Sequence, residues 1–219
     1  MAIKEEWFRN TKWNAHIAAE FHQKLSKARS QRDQYLGIQA RTLVHIHPVI
    51  ALELADLLLD THFSGSTSNL LRALETRAEA LGELQRTDEL CAAYREVFAH
   101  LEASPNLGSL AHFNYPMYVA RLKISAEYDL ALEKCAEAEN HLGSPQFSFL
   151  KSSARALIYW EQGRRKDARN NADMAVRFGN ISRKGFSVSY DAKVVGFNDN
   201  SALKRILRIL RILKITVTS

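Results

Sequence analysis

Three of the eight histidines, His45, His47 and His62, lie near one another and raise the question of a metal. A zinc site needs tightly spaced ligand pairs that converge on one point. His45-Ile46-His47 sends its two rings in different directions at a predicted helix end, just before Pro48, and neither Cys-x-x-Cys nor His-Glu-x-x-His occurs. No metal site is read from them. Ser64-Gly65-Ser66-Thr67-Ser68 lacks the Gly-Lys-Ser/Thr ending that delivers a charge to a phosphate and a hydroxyl to magnesium, and there is no Gly-x-Ser-x-Gly elbow for a nucleophile. Glu133, Glu137 and Glu139 share a helix rich in charges of both signs, the pattern of a solvated face. These residue types give no catalytic set and no cofactor site, so the expectation is a protein that is not an enzyme.

Charge narrows the partners. The chain carries 30 basic and 24 acidic residues, a formal +6. Residues 201–219 hold Lys204, Arg205, Arg208, Arg211 and Lys214 with no acid among them, which leaves 25 basic against 24 acidic residues over 1–200. A nearly neutral body argues against nucleic acid as the partner. The tail is different. Its basic residues recur every three positions from Arg205, and Ile206, Ile209, Leu210 and Leu213 fill the other half of a helical wheel. Such a helix suits weak contact with an anionic membrane or a partner protein. Packing on the preceding helices and a terminus without a role are the alternatives.

Cys91 and Cys135 are far apart on predicted helices and read as buried free thiols, in keeping with a reducing compartment. The first residues have no apolar stretch of signal-peptide length, and no run reaches transmembrane length. A cytoplasmic protein is expected.

The elements that would position any site are helices. Four prolines and nine glycines in 219 residues, with abundant Leu, Ala, Glu and Arg, favour helix throughout. Trp13, Ile17, Phe21, Leu25 and Ala28 form one apolar stripe, and Asn10 or Thr11 is placed to cap it. This helix would close the end of a stack, held by Trp7 and Phe8. Further helices are predicted over 31–46 and from Pro48 to about Phe63, Pro48 serving as a first helical residue. Ser68 is read as the cap of the next, which carries Leu71, Leu74, Ala78 and Leu81. Leu90, Tyr94, Val97 and Leu101 mark its partner, with Asp88 and Glu89 at the helix start. The following pair spans 107–125, where Pro116 should kink or restart the helix, and 129–142. Residues 186–190 alternate apolar and polar and read as an extended segment near 186–196.

The clearest unit is 154–175. Ala156, Ala168, Ala172 and Ala175 are small enough for two helices to cross closely, Tyr159 supplies bulk between them, and Gly163 can take the left-handed conformation that ends the first helix. This small-and-aromatic spacing resembles the tetratricopeptide repeat, a helical hairpin of about 34 residues. Ala78, Leu81, Tyr94 and Val97 make a second copy, Tyr128 and Ala131 a third, and Gln34 to Leu59 a fourth. Aligning Leu90, Ala131 and Ala168 gives steps of 41 and 37 residues. Trp7–Thr11 and Gln34–Ala40 also resemble the opening of a group of uncharacterised bacterial proteins of tetratricopeptide-like type, and Gly185–Gly196 resembles their closing piece. The resemblance implies an all-α, right-handed solenoid of about four hairpins over residues 1–200, with an N-terminal capping helix and the basic tail at 201–219.

It also implies that the first helix of each hairpin lines a concave groove. The residues carried to that surface are Gln34, Arg41, His45, Arg72, Glu75, Glu79, Glu83, Lys123, Trp160 and Glu161, a lining of mixed charge with one exposed aromatic. The function so implied is a protein- or peptide-binding scaffold. A bacterial immunity or peptide-sensing protein is the alternative, and an enzyme whose site the sequence does not reveal is the third.

Overall fold

A computed structural model of the chain describes residues 6–61, 66–138 and 145–185, with the side chains of the last helix described through Phe178. Among the described residues the fold is all-α: nine α-helices, two short 3-10 turns and no strand. The segment read as extended, 186–196, and the basic tail lie outside the described residues. The chain divides into two compact units, Met1–Ser109 and Leu110–Ser219.

The first unit contains α1 (Ala15–Ser26), α2 (Arg32–Leu43), α3 (Pro48–Asp60), α4 (Thr67–Glu83) and α5 (Thr87–Ala103). Helix α2 packs on α3 and on α4, α3 on α4, and α4 on α5. Leu25, Leu36, Leu43, Leu54, Leu58 and Ala80 form its core, and α3 begins at Pro48 as the sequence predicts. The cap of α1 is Asn14, whose side chain accepts from the Ile17 N–H at 2.9 Å, and neither Asn10 nor Thr11 takes that part. Asn10 is held elsewhere. Its backbone N–H and side-chain amide donate to Gln39 Oε1 at 2.9 and 3.1 Å, and Gln39 Nε2 donates back to the Asn10 carbonyl at 2.8 Å. This mutual pairing lets Gln39 be wholly buried. It also fixes the chain before α1, so that Trp7 lies edge-on to Tyr35 at 5.0 Å, Phe8 stacks on Tyr35 at 4.5 Å and Trp13 meets Phe21 at 5.5 Å. The residue before α4 is Ser66 rather than Ser68.

The second unit contains α6 (Ala111–Leu122), α7 (Tyr128–Glu137), α8 (Pro145–Glu161) and α9 (Arg165–Gly185). Helix α6 packs on α7 and on α8, α7 on α8, and α8 most extensively on α9. The last contact is close because Ala156, Ala168, Ala172 and Ala175 are all fully buried. Tyr159 is not enclosed to the same degree. It is half-buried, with the Arg164 guanidinium 4.2 Å from its ring centre, and Leu157 and Ile158 are the buried side chains of that turn. Pro116 does not restart the helix: α6 begins at Ala111 and runs through it as one element, with Pro116 itself buried. The proline ring donates no N–H to the ladder.

Three hairpin turns share one geometry. Gln85 (φ 58°), Lys123 (φ 57°) and Gly163 (φ 76°) follow α4, α6 and α8 in left-handed conformation. After each, the next N–H returns to a carbonyl five residues back: Arg86 to Leu81 at 3.0 Å, Ile124 to Val119 at 3.0 Å and Arg164 to Tyr159 at 2.8 Å. These bonds satisfy carbonyls that a helix end leaves open. The turns are 38 and 40 residues apart. The uneven steps of 41 and 37 arise because Ala131 follows its turn by eight residues where Leu90 and Ala168 follow theirs by five. The three-residue 3-10 turn Ser125–Glu127 accounts for the difference.

Candidate functional site

Of the ten residues assigned to the groove, five converge in the first unit. Arg41 sits on the last turn of α2, with His45 four residues on, just beyond its end; Glu75, Glu79 and Glu83 follow one another at four-residue steps along α4. Four-residue spacing puts each set on one helix face, and the packing of α2 on α4 brings the faces together. Arg41 Nη1 lies 2.5 Å from Glu79 Oε1. The His45 ring stands over the next turn, Nδ1 3.4 Å from Glu83 Oε1 and Nε2 3.9 Å from Glu79 Oε2. Glu75 accepts from Ser109 Oγ at 2.6 Å.

Glu79 is almost wholly buried, so its charge calls for close partners, and Arg41 meets it directly. Burial by itself would weaken the hold of Arg41 on its proton. The Glu79 carboxylate, by charge and hydrogen bond, together with Glu75 and Tyr94, raises its pKa above the ordinary arginine value instead. Arg41 is therefore a fixed cation. Glu75, Glu79 and Glu83 thus form a carboxylate-bearing face on α4, with Arg41 and His45 set against it from the end of α2.

The other assigned residues are placed differently. Arg72, on α4, is half-buried and lays its stem close to Gly37, where an added Cβ would sit 3.5 Å from Arg72 Cδ. Gln34 is exposed on α2. In the second unit Lys123 lies one residue past α6, not within it, and its ammonium is 3.0 Å from Glu161, the last residue of α8. Trp160 is not the freely exposed aromatic expected of a groove. It is half-buried, and Arg165 covers it with Cζ 3.8 Å from the ring centre while donating to the Trp160 carbonyl at 3.2 Å. The five basic tail residues and His62 lie outside the described residues.

The two units thus repeat one contact. A basic side chain just beyond the first of the two helices, the His45 imidazole or the Lys123 ammonium, reaches a glutamate that is the last residue of the second, Glu83 of α4 or Glu161 of α8. Sequence reasoning grouped these residues as one lining but did not find that they pair. Charges on separate helices give no sequence signal until the helix contacts are known. It also missed Ser109, the Asn10–Gln39 clamp and a network around the buried Lys134. Lys134 Nζ donates to Glu137 at 2.8 Å, and Glu137 also lies 3.2 Å from His112 Nε2. Burial opposes ionisation of Glu137, but the hydrogen bond and charge of Lys134, with His112, hold its pKa below the ordinary glutamate value.

Among the described residues no three His, Cys, Asp or Glu side chains are arranged to hold a metal ion, and no helix is long and apolar enough to cross a membrane. Cys91 and Cys135 are buried and unbridged. No family model matches the chain, and neither a curated protein nor a solved structure matches it.

Proposed function

We propose that the protein is a non-enzymatic scaffold of tetratricopeptide-like hairpins that binds a protein or peptide along its first helices, α2 and α4 in one unit and α6 and α8 in the other. The observation that carries this reading is the contact pattern. In each unit a first helix touches both its own hairpin partner and the next first helix. Within each unit, that contact is how stacked hairpins would build a surface from first helices alone. The shared left-handed turns and the matched pairs His45–Glu83 and Lys123–Glu161 support the same reading, since they recur where a repeat would put them.

The chemistry of the surface favours a basic partner segment in the first unit. Arg41 meets Glu79, and Glu75 and Glu83 stand one turn to either side of it on the same face of α4, both half-buried, while Gln34 is exposed on α2. A lysine or arginine from an extended peptide would be drawn to this carboxylate-bearing face, with its stem against the half-buried side chains. The test is capture with full-length protein carrying a photo-crosslinking residue at Gln34. A partner should crosslink at that position, and Glu75→Gln with Glu83→Gln should abolish capture while leaving the helical circular dichroism spectrum unchanged. Undiminished capture by the double variant overturns the assignment of this surface.

A further inference from the structure

Positive charge is concentrated at one end of the sequence. Residues 1–144 hold 15 basic and 19 acidic residues, whereas 145–219 hold 15 basic and 5 acidic. Within 145–178, where side chains are described, seven cations face three carboxylates. Two of those carboxylates are engaged, Glu161 by Lys123 and Asp167 by Arg164 at 2.8 Å. On α9, Lys166, Arg169 and Arg177 have no ion-pair partner among the described residues. Lys166 and Arg177 are exposed and Arg169 is half-exposed.

These residues share a face. Along α9 the outward positions run Lys166, Arg169, Asn170, Asp173, Met174 and Arg177, while Ala168, Ala172 and Ala175 point into the packing with α8. Eleven residues of helix separate Lys166 from Arg177, a strip about 16 Å long. Met174 is one of three large apolar side chains left exposed among the described residues, and along the helix it falls between Arg169 and Arg177, at one edge of the face.

We infer that this face of α9 is a docking surface for an acidic amphipathic helix of another protein. Its carboxylates would meet Lys166, Arg169 and Arg177, and an apolar side chain would cover Met174. The chain cannot readily supply this occupant from its own C-terminal portion, because residues 186–219 hold six basic and two acidic residues and carry the same sign as the surface. A phosphate backbone fits less well. The sugar-phosphate chain offers nothing apolar to Met174, whereas Asp173, on the same face, opposes either anionic partner alike. This surface is distinct from the α2–α4 seam, and it calls for a partner of opposite charge.

Fluorescence anisotropy with full-length protein tests the inference. The probe is a labelled helical peptide of about 18 residues with glutamates flanking a leucine stripe, long enough to hold a helix, set against an oligothymidylate of equal charge. The peptide should bind more tightly than the oligonucleotide. Lys166→Glu, Arg169→Glu and Arg177→Glu together should weaken it at least about tenfold, equivalent to 1.4 kcal/mol, and Met174→Ser should weaken it several-fold. All four positions reach solvent, so thermal stability should hardly change. A full-length variant with glutamine at Lys204, Arg205, Arg208, Arg211 and Lys214 should keep the α9-dependent binding. Tighter binding of the oligonucleotide with no effect at Met174 would mark a phosphate surface and overturn the proposal. Loss of peptide binding on tail neutralisation, without loss on α9 reversal, would overturn it too. So would self-association of the protein alone that the α9 reversal abolishes, because the occupant would then be a second copy.

Discussion

Arg41 and Glu79 join α2 to α4 through an ion pair of 2.5 Å whose acidic member is almost wholly buried. Removing one partner of such a pair leaves a charge without compensation in a place water barely reaches. Glu79→Leu alone should therefore cost on the order of 2 kcal/mol, less than a fully dry pair because Arg41 still touches solvent. Arg41→Met combined with Glu79→Leu should restore most of that loss. Urea denaturation of the four members of the cycle measures the coupling. Equal costs for the single and double variants would mean that the seam contributes nothing through this pair.

The left-handed turns make an opposite pair of predictions. Gln85 adopts a backbone conformation that costs a side-chain-bearing residue about 1 kcal/mol, and Gln85→Gly should stabilise the protein by about 0.5 kcal/mol after the added freedom of the unfolded chain is offset. At Gly163 an added Cβ would meet nothing within 4 Å, so the cost of Gly163→Ala is purely conformational, about 1 kcal/mol. Thermal midpoints should move in opposite directions. A shared direction would show that these turns do not hold the same geometry.

Ala168 is fully buried against α8. Ala168→Trp should destabilise by about 1–3 kcal/mol or more, because a ring at a close helix crossing displaces backbone. Ala168→Gly is the contrasting change, losing about 1 kcal/mol by helix propensity. Stability of the tryptophan variant equal to wild type would place Ala168 on the surface.

Glu137 gives a pH dependence with a definite sign. Its folded pKa is depressed below the ordinary glutamate value near 4.5, against the effect of burial, by Lys134 and His112. A depressed carboxyl pKa contributes stability that is present above the unfolded value and lost as pH falls through the folded one. Acidification below about pH 4.5 should therefore destabilise wild type more steeply than Glu137→Gln. Thermal midpoints taken through that window measure the difference, and parallel curves would remove Glu137 from the acid response. Its partial exposure keeps the effect small.

The helices were legible because their signals are local. Pro48 begins α3, Asp88 and Glu89 open α5, and Gly163 ends α8 where the residue types require it. Gln85 and Lys123 were not legible as left-handed residues, because neither type favours that conformation and only the surrounding packing holds them there. The first cap was misread for a related reason. Asn10 and Asn14 are equivalent as local signals, and the choice between them rests on Gln39, a residue 29 positions beyond Asn10. Nor did spacing along α2 or α4 disclose that the lining charges meet each other. The exposed character assigned to Trp160 failed likewise, since Arg165, five residues on, folds back across the turn to cover it.

The three tryptophans fall into two environments, which gives the protein a built-in optical reporter. Trp7 and Trp13 report on the aromatic cluster around Phe21, and Trp160 reports on the α8–α9 turn. With Trp160→Phe, emission during unfolding follows the N-terminal cluster alone; with Trp7→Phe and Trp13→Phe it follows the last hairpin alone. Peeling of one end could then be timed against melting of the other by comparing the two variants, without an attached dye.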